Sequence, residues 1–147
     1  MLNTPYRDGI SLPLMIAAIT TITEGELVAV NSTGEAVPAT DADAKYLMGR
    51  SETTASPATP APNNTIVVTR NRQFLLNNDA TNPLTAADIG KEVVLSGKNT
   101  VAKPVSGGDL DALGVGVLMG VDYSGSVWVE VGGKPIGIVE GAANPVL

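Results

Sequence analysis

The chain of 147 residues contains no cysteine and no histidine. Without cysteine it has no disulfide framework, no iron–sulfur cluster and no thiolate zinc site. Without histidine it lacks the commonest general base and the commonest metal ligand of proteins. Nucleophile systems of the Ser-His-Asp or Cys-His type are therefore excluded. We expect a protein that is not an enzyme, with no catalytic residues, no metal and no cofactor.

Aromatic residues and positive charges are also scarce. With one tryptophan, one phenylalanine and three tyrosines, the core must be built mostly from Val, Ile, Leu and Ala. Nine Lys and Arg residues against fifteen Asp and Glu give a net charge of −6. Nucleic acids require a basic footprint, and an acidic surface disfavours anionic membranes. The apolar stretch Ile10–Ile22 contains Pro13 and is too short to span a bilayer. We expect neither a nucleic acid nor a membrane as partner.

Glycine and proline, in contrast, are abundant and divide the chain into short β-rich runs. Turn residues separate the two halves of three predicted hairpins, at 27–39, 92–103 and 115–131. Short helical turns are predicted only at 85–90, where Thr85 and Asp88 form a capping-box pattern, and at 41–45. The sequence therefore predicts an all-β fold, a small antiparallel β-barrel or sandwich of about eight to ten short strands.

The prolines also suggest how the chain is divided. Residues 1–13 are predicted to form an extended N-terminal arm, because Pro5 and Pro13 disfavour both helix and interior strand. Residues 14–141 should form a single β domain with a proline-rich surface loop at 55–64, and residues 142–147 a mobile tail. We find no internal repeat of fixed period. The arm carries apolar side chains that an isolated tail would leave in water, and we expect them to lie at an interface with a neighbouring molecule: Leu2, Tyr6, Ile10 and Leu12.

Trp128 is the most informative single residue. In the run 127–131 the three valines share one face of a strand, and Trp128 shares the other with Glu130. If the valines face the core, the only tryptophan points outward, where large aromatics anchor interfaces. The alternative is a sheet covered on both faces. We predict Trp128 as an interface residue.

Other motifs favour structural roles. The glycines Gly114, Gly116 and Gly120 miss the spacing of a dinucleotide fingerprint and are more typical of bulges or close backbone approach in a strand. The Asp41/Asp43 pair lacks the further ligands of a calcium loop, as does the pair at 109 and 111. The short basic segment at 70–72 is too small for a nucleic-acid face.

Several segments, in order along the chain, resemble the structural cement (head decoration) proteins of tailed bacteriophages. The resemblance rests on their order and spacing over about two-thirds of the chain, and it is carried by these runs: Glu26–Ala39, Leu47–Arg50, Pro83–Lys91, Thr100–Ala102 and Gly116–Val131. It implies a compact β domain, often a homotrimer, that binds the major capsid protein on the outer surface of the head and bridges coat subunits. The implied location is the virion, after synthesis in the cytoplasm of the host bacterium.

Three other functions stay open at this point. The first is another virion component, such as a tail or fibre adaptor built on a similar β module. The second is a Ser-Lys hydrolase using Lys98 or Lys103, which would need a lysine buried beside a serine. The third is a carbohydrate-binding module, for which the chain has few aromatic platforms.

The expected lack of a ligand gives a direct test. A ligand that binds only the native state must raise its melting temperature by mass action. We expect no change in the Tm of the protein with millimolar calcium, zinc or ATP, measured by differential scanning fluorimetry. A clear upward shift with any of the three would contradict the non-enzymatic interpretation.

Overall fold

The computed structural model describes residue 4 and residues 9–18, 20–56, 64–104, 112–133 and 137–139. This part of the chain is almost entirely β, which confirms the predicted fold class. Its one helical element is a 3-10 turn at Ala86–Asp88. The strands β1 to β11 are, in order, Ser11–Met15, Leu27–Val30, Ala36–Pro38, Tyr46–Ser51, Thr65–Thr69, Arg72–Asn78, Glu92–Gly97, Thr100–Ala102, Ala112–Val121, Val127–Val131 and Ile138–Val139.

The first five strands form one sheet, which we call the N-terminal sheet. Its strand order is β1-β5-β4-β2-β3, and all of its strand pairs are antiparallel. A parallel bridge between Ile16, which directly follows β1, and Ala36 in β3 brings the two edge strands together. The backbone N–H of Ala17 donates to the carbonyl of Ala36 at 2.9 Å in the same place. The sheet is therefore curled until its edges meet, which leaves little open edge for another chain to pair with.

The remaining strands form a second unit, the C-terminal barrel. Its order is β10-β6-β8-β7-β9, and an additional pairing of β10 with β9 closes it into five strands. The pairing of β6 with β8 is parallel, whereas the other pairs are antiparallel. The short strand β11 adds to β9 on the outside of this ring. The predicted hairpins β2–β3, β7–β8 and β9–β10 are all present.

The chain passes from one unit to the other at Arg70 and Asn71, between β5 and β6. Asn71 has a left-handed backbone, with φ of 58°, a conformation that asparagine tolerates better than most residues. Its backbone N–H donates to the carbonyl of Val131 at 2.6 Å, and its side-chain oxygen accepts from Gly133 at 3.0 Å. The buried Arg70 side chain donates to the Gly133 carbonyl. This kink divides one continuous β-rich run into strands of two different units.

The predicted N-terminal arm reaches into the first of these units. Residues 11–13 belong to β1, whose partner is β5, so the predicted boundary at residue 13 lies inside a strand. β1 is the first strand in the sheet order, so β5 is its only neighbour in that order. Pro13 is tolerated there because the backbone N–H that it lacks can face away from β5, where no hydrogen bond between strands is lost. The prediction that Pro13 does not lie in an interior strand agrees with the structure. The sequence did not predict that Pro13 lies in an edge strand.

Two hydrophobic clusters hold the fold together. The smaller one fills the N-terminal sheet and includes Ile16, Val28, Ile66 and Val68. The larger one contains the interior of the C-terminal barrel, and it also contains residues from β2, β3 and β4 of the N-terminal sheet. Because this cluster draws on both units, the two are packed against each other through a shared apolar core.

Two glycines allow neighbouring strands to cross closely at bulges. Gly49 in β4 and Gly116 in β9 each sit beside a one-residue shift in strand register. A Cβ atom at Gly116 would lie 2.0 Å from the carbonyl oxygen of Glu130, and one at Gly49 would lie 2.3 Å from that of Thr69. Both distances are far below van der Waals contact, and the obstructing atoms belong to the backbone. The sequence-based interpretation of Gly116 as a point of close backbone approach is confirmed.

Replacing either glycine by alanine should therefore destabilise the protein. We expect Gly49→Ala and Gly116→Ala each to lower the free energy of unfolding by about 1–3 kcal/mol or more, the usual cost of overpacking. Gly97→Ala is the matched control, because a Cβ there would meet only Thr100 side-chain atoms, at 3.6–3.7 Å. Urea unfolding of the three variants measures the difference. A Gly116→Ala protein as stable as Gly97→Ala would contradict the close approach.

Candidate docking surface

Trp128 points away from the interior of the C-terminal barrel, as the alternation in β10 predicts. Val127 and Val129 on either side of it are fully buried, whereas the Trp128 side chain is 38% exposed. Its cross-strand partner in β6 is Leu75, which is 47% exposed and lies on the same outer face. The two side chains form an apolar pair on the barrel surface.

The other side of Trp128 is left open by a glycine. Trp128 pairs with Gly120 of β9, and a Cβ at Gly120 would lie 3.7 Å from the indole Cδ1. The ring therefore borders a strand position with no side chain. A register shift between Trp128 and Val129 accompanies this contact. The pair of Leu75 and Trp128 forms the first candidate patch, which we call the C-terminal patch.

A second exposed apolar pair lies on the N-terminal sheet. Val67 in β5 is 40% exposed and pairs directly with Pro13 in β1, which is also exposed. Met15, two residues along β1 on the same face, is 56% exposed. We call Pro13, Met15 and Val67 the N-terminal patch. This patch has no signal in the sequence, because valine and proline in a strand do not by themselves indicate which face is outward.

The outer faces that carry these patches are almost free of charge. They are formed by the outward residues of β1 and β5 in one unit and of β6 and β10 in the other. Glu130 is the only charged residue at these outward positions, and the charged residues at their border are the exposed Arg72 and the Arg50–Glu52 ion pair, where Arg50 pairs with Thr69. The outward residues are Ser11, Pro13, Met15, Thr65, Val67, Thr69, Gln73, Leu75, Asn77, Trp128 and Glu130. A partner therefore need not be basic to contact these faces, although the chain carries a net charge of −6.

The predicted interface residues of the arm are distributed differently. Leu2 and Tyr6 lie outside the described residues. Leu12 is half-buried and packs against the smaller hydrophobic cluster, so it supports the fold of its own domain. Ile10 is half-buried as well, and its carbonyl accepts the backbone N–H of Arg70 at 2.8 Å. The structure brings neither Ile10 nor Leu12 into the C-terminal patch with Trp128.

Asp88, a carboxylate that the sequence singled out, has a structural role. Asp88 is buried, and its carboxylate accepts the backbone N–H of Thr85 at 2.9 Å, which is the acidic half of the predicted capping box. Lys91 and Lys103 each place their Nζ 3.7 Å from this carboxylate. The pKa of Asp88 is held below its usual value, chiefly by the hydrogen bond from the Thr85 backbone and also by the two ammonium groups. Burial acts in the opposite direction but does not outweigh them.

The two lysines considered for a hydrolase, and the described aspartate pair, lie in turns and on the surface. Lys103 is half-exposed and paired with Asp88, and Lys98 lies exposed at the tip of the β7–β8 hairpin, so neither is a lysine buried beside a serine. Asp41 accepts the backbone N–H of Asp43 at 2.8 Å within a turn. In the part of the chain that the structure describes, no three His, Cys, Asp or Glu side chains come together as metal ligands. The acidic pair at 109 and 111 lies outside that part.

A groove of about 500 Å³ runs between the two units. It is lined by small and apolar side chains from the turn after β3, including Ala44, and from the barrel, including Leu95, Leu113 and Ile138. Among the lining residues that the structure describes, Asp41 is the one that carries a charge. These described lining residues do not form a convergent set of polar groups of the kind that orients a small ligand.

Searches against family models, curated proteins and solved structures found no match for this chain. Over the described ranges, no helix has the length and apolar character needed to cross a membrane.

Asp88 gives a prediction about pH. A carboxylate whose pKa is lower in the folded than in the unfolded protein stabilises the fold above its unfolded pKa of about 3.9. This contribution is lost as the pH falls through the folded pKa. Asp88→Asn should therefore melt at a lower temperature than the wild type at pH 7, and the difference should shrink towards pH 2. Asp43→Asn, in an exposed turn, is the control. A pH-independent difference for Asp88→Asn would contradict the electrostatic role.

Proposed function

We propose that this protein is a head decoration (cement) protein of a tailed bacteriophage. In this proposal it binds the outer surface of the assembled head and stabilises the shell by bridging copies of the major capsid protein. The observation that carries the proposal is the outward indole of Trp128, paired with Leu75 on a strand whose valines are buried.

The patch has the character of an interface anchor. Tryptophan is enriched among the residues that dominate binding energy, particularly when apolar neighbours surround it. Leu75 and the bare position at Gly120 provide such surroundings, and both strands are held by pairing on either side. An anchor fixed in this way loses little conformational entropy when a partner covers it.

The rest of the molecule suits a clamp on a shell. The two units share a hydrophobic cluster, which makes the protein a single packed body able to transmit force between contacts. The acidic net charge favours solubility at the concentration needed to cover a head. In the same proposal the protein acts as a homotrimer on the capsid, and it is made in the host cytoplasm before it joins the virion.

Removal of the anchor should weaken attachment without unfolding the protein. We expect Trp128→Ser to bind undecorated heads at least about 30-fold more weakly, which corresponds to a hot-spot loss of about 2 kcal/mol. The measurement is co-sedimentation with heads assembled without this protein, over a range of protein concentrations. Tyr123→Ser is the matched control, because Tyr123 is a fully exposed aromatic in the neighbouring β9–β10 turn.

Two results would count against this role. Equal binding by Trp128→Ser and the wild type, with equal melting temperatures, would remove Trp128 from the interface. A wild-type protein that does not bind heads would contradict the decoration function itself. A copy number of a few per virion, instead of hundreds, would favour a tail or fibre component.

A further inference from the structure

The two units of this protein have the same topology. In each unit the first strand pairs with the fifth, the fifth with the fourth, the fourth with the second, and the second with the third. In each unit the first and third strands then meet in parallel, as the Ile16–Ala36 bridge in one and as the β6–β8 pair in the other. Strands β1 to β5 thus correspond, in order, to β6 to β10.

The correspondence extends to individual residues at the bulges. Val28 pairs with Gly49 in the N-terminal sheet, and Val93 pairs with Gly116 in the C-terminal barrel. In the N-terminal sheet the next pair is Ala29 with Leu47, which leaves one residue of β4 unpaired as a bulge. In the C-terminal barrel the next pair is Val94 with Gly114, which leaves one residue of β9 unpaired at the equivalent point. In both units the glycine then crosses a backbone carbonyl of the fifth strand.

The turns before the second strands agree as well. Gly25 and Gly90 have φ angles of 89° and 92°, in the left-handed region that favours glycine. The backbone N–H of Gly25 donates to the carbonyl of Ser51 at 2.8 Å, and that of Gly90 donates to Leu118 at 2.8 Å. Ser51 and Leu118 are themselves equivalent. Ser51 pairs with Val68 and Leu118 pairs with Val129, and each of these valines directly precedes the residue whose carbonyl the glycine crosses.

The contact that closes each ring is also repeated. The N–H of Ala17 donates to the carbonyl of Ala36, and the N–H of Asp79 donates to the carbonyl of Val101, both at 2.9 Å. Shared strand order could arise independently in two small barrels. Shared registers, a shared bulge and shared turn hydrogen bonds together indicate two copies of one β module, joined at Arg70 and Asn71.

The two patches occupy equivalent positions of these modules. The register places Pro13 opposite Val67 in the first module, and Leu75 opposite Trp128 in the second, at corresponding steps of the first and fifth strands. All four side chains are exposed. An apolar, outward pair has thus been kept at one position in both modules, on faces that together hold one charged residue, Glu130.

We propose that the chain is a tandem duplication whose two modules dock through these equivalent faces onto equivalent apolar surfaces of two neighbouring coat subunits. This inference rests on the proposed function. Two equivalent docking faces fit a partner that presents the same surface more than once. Neighbouring subunits of a shell present such repeated surfaces. Since the faces are nearly uncharged, the partner surfaces are uncharged and apolar, and attachment depends little on salt. Two linked contacts bind far more tightly than one, because the second forms at a high effective concentration.

The test places one charge in each face of the full-length protein. Val67→Asp and Trp128→Asp are the matched pair, and Thr40→Asp, in the exposed turn between β3 and β4, is the control for added charge. Pro13→Ser and Leu75→Ser repeat the comparison with milder changes, should an aspartate variant fail to fold. Thermal melts establish folding, and dissociation from undecorated heads is followed at 50 and 500 mM NaCl.

We expect each single aspartate variant to dissociate at least 100-fold faster than the wild type, the double variant not to bind, and Thr40→Asp to behave as the wild type. Dissociation of the wild type should change little with salt. Loss of binding by Trp128→Asp with normal binding by Val67→Asp would overturn docking through both faces and leave the decoration function in place. Steep salt dependence would overturn the apolar contact. A wild type that does not bind heads would overturn both the decoration function and this inference.

Discussion

The structure depends on the way each sheet is closed. An open five-stranded sheet has two edge strands. Their unpaired backbone N–H and C=O groups can pair with another chain and cause aggregation. In both units a parallel contact between the first and third strands shortens these open edges. Closing so small a ring forces strands to cross closely, and the crossings occur at Gly49 and Gly116, where a side chain would collide with a backbone carbonyl. The bulges beside these glycines supply the bend that closure needs.

The parts of the fold that depend on local sequence were predictable. Hairpins β2–β3, β7–β8 and β9–β10 have turn residues between β-rich runs, and the 3-10 turn has its capping pattern at Thr85 and Asp88. The pairing of β1 with β5 and of β6 with β10 was not predictable, because it joins strands far apart in sequence. For the same reason the residues around Pro13 were interpreted as an arm: nothing local indicates that Val67 is their partner.

The candidate site was predicted in part. Period-two alternation predicted the outward direction of Trp128 because its valine neighbours leave one apolar face for the core. Alternation does not identify Val67 as outward, since both faces of β5 carry valine or isoleucine. Burial by strands distant in the sequence distinguishes Val68 from Val67. Leu12 was assigned to an interface from its hydrophobicity, yet that hydrophobicity serves the smaller cluster of its own sheet.

The repeat escaped a search at fixed period because the spacing between equivalent residues varies. Gly49 corresponds to Gly116, 67 residues on, whereas Val68 corresponds to Val129, 61 residues on. The loops absorb the difference: the connection between β4 and β5 is much longer than the tight turn between β9 and β10. What the two copies share is backbone geometry, which depends on a few glycines and on alternation, so their side chains have been free to diverge.

The junctions between the modules give the duplication a mechanical consequence. The side chain of Asn99, at the tip of the β7–β8 hairpin, accepts the N–H of Leu27 at 2.9 Å and donates to the carbonyl of Gly25 at 2.8 Å. The Arg50 guanidinium lies 5.1 Å from the centre of the Phe74 ring, a cation–π contact across the units. These contacts add to the shared hydrophobic cluster and hold the two outer faces at a set separation. A rigid connection between two docking faces favours a partner lattice of matching spacing, because a mismatch could be relieved only by breaking one of the two contacts. In the decoration function proposed above, selectivity for an assembled shell over free coat subunits would arise from the spacing of the faces, with no need for a conformational change.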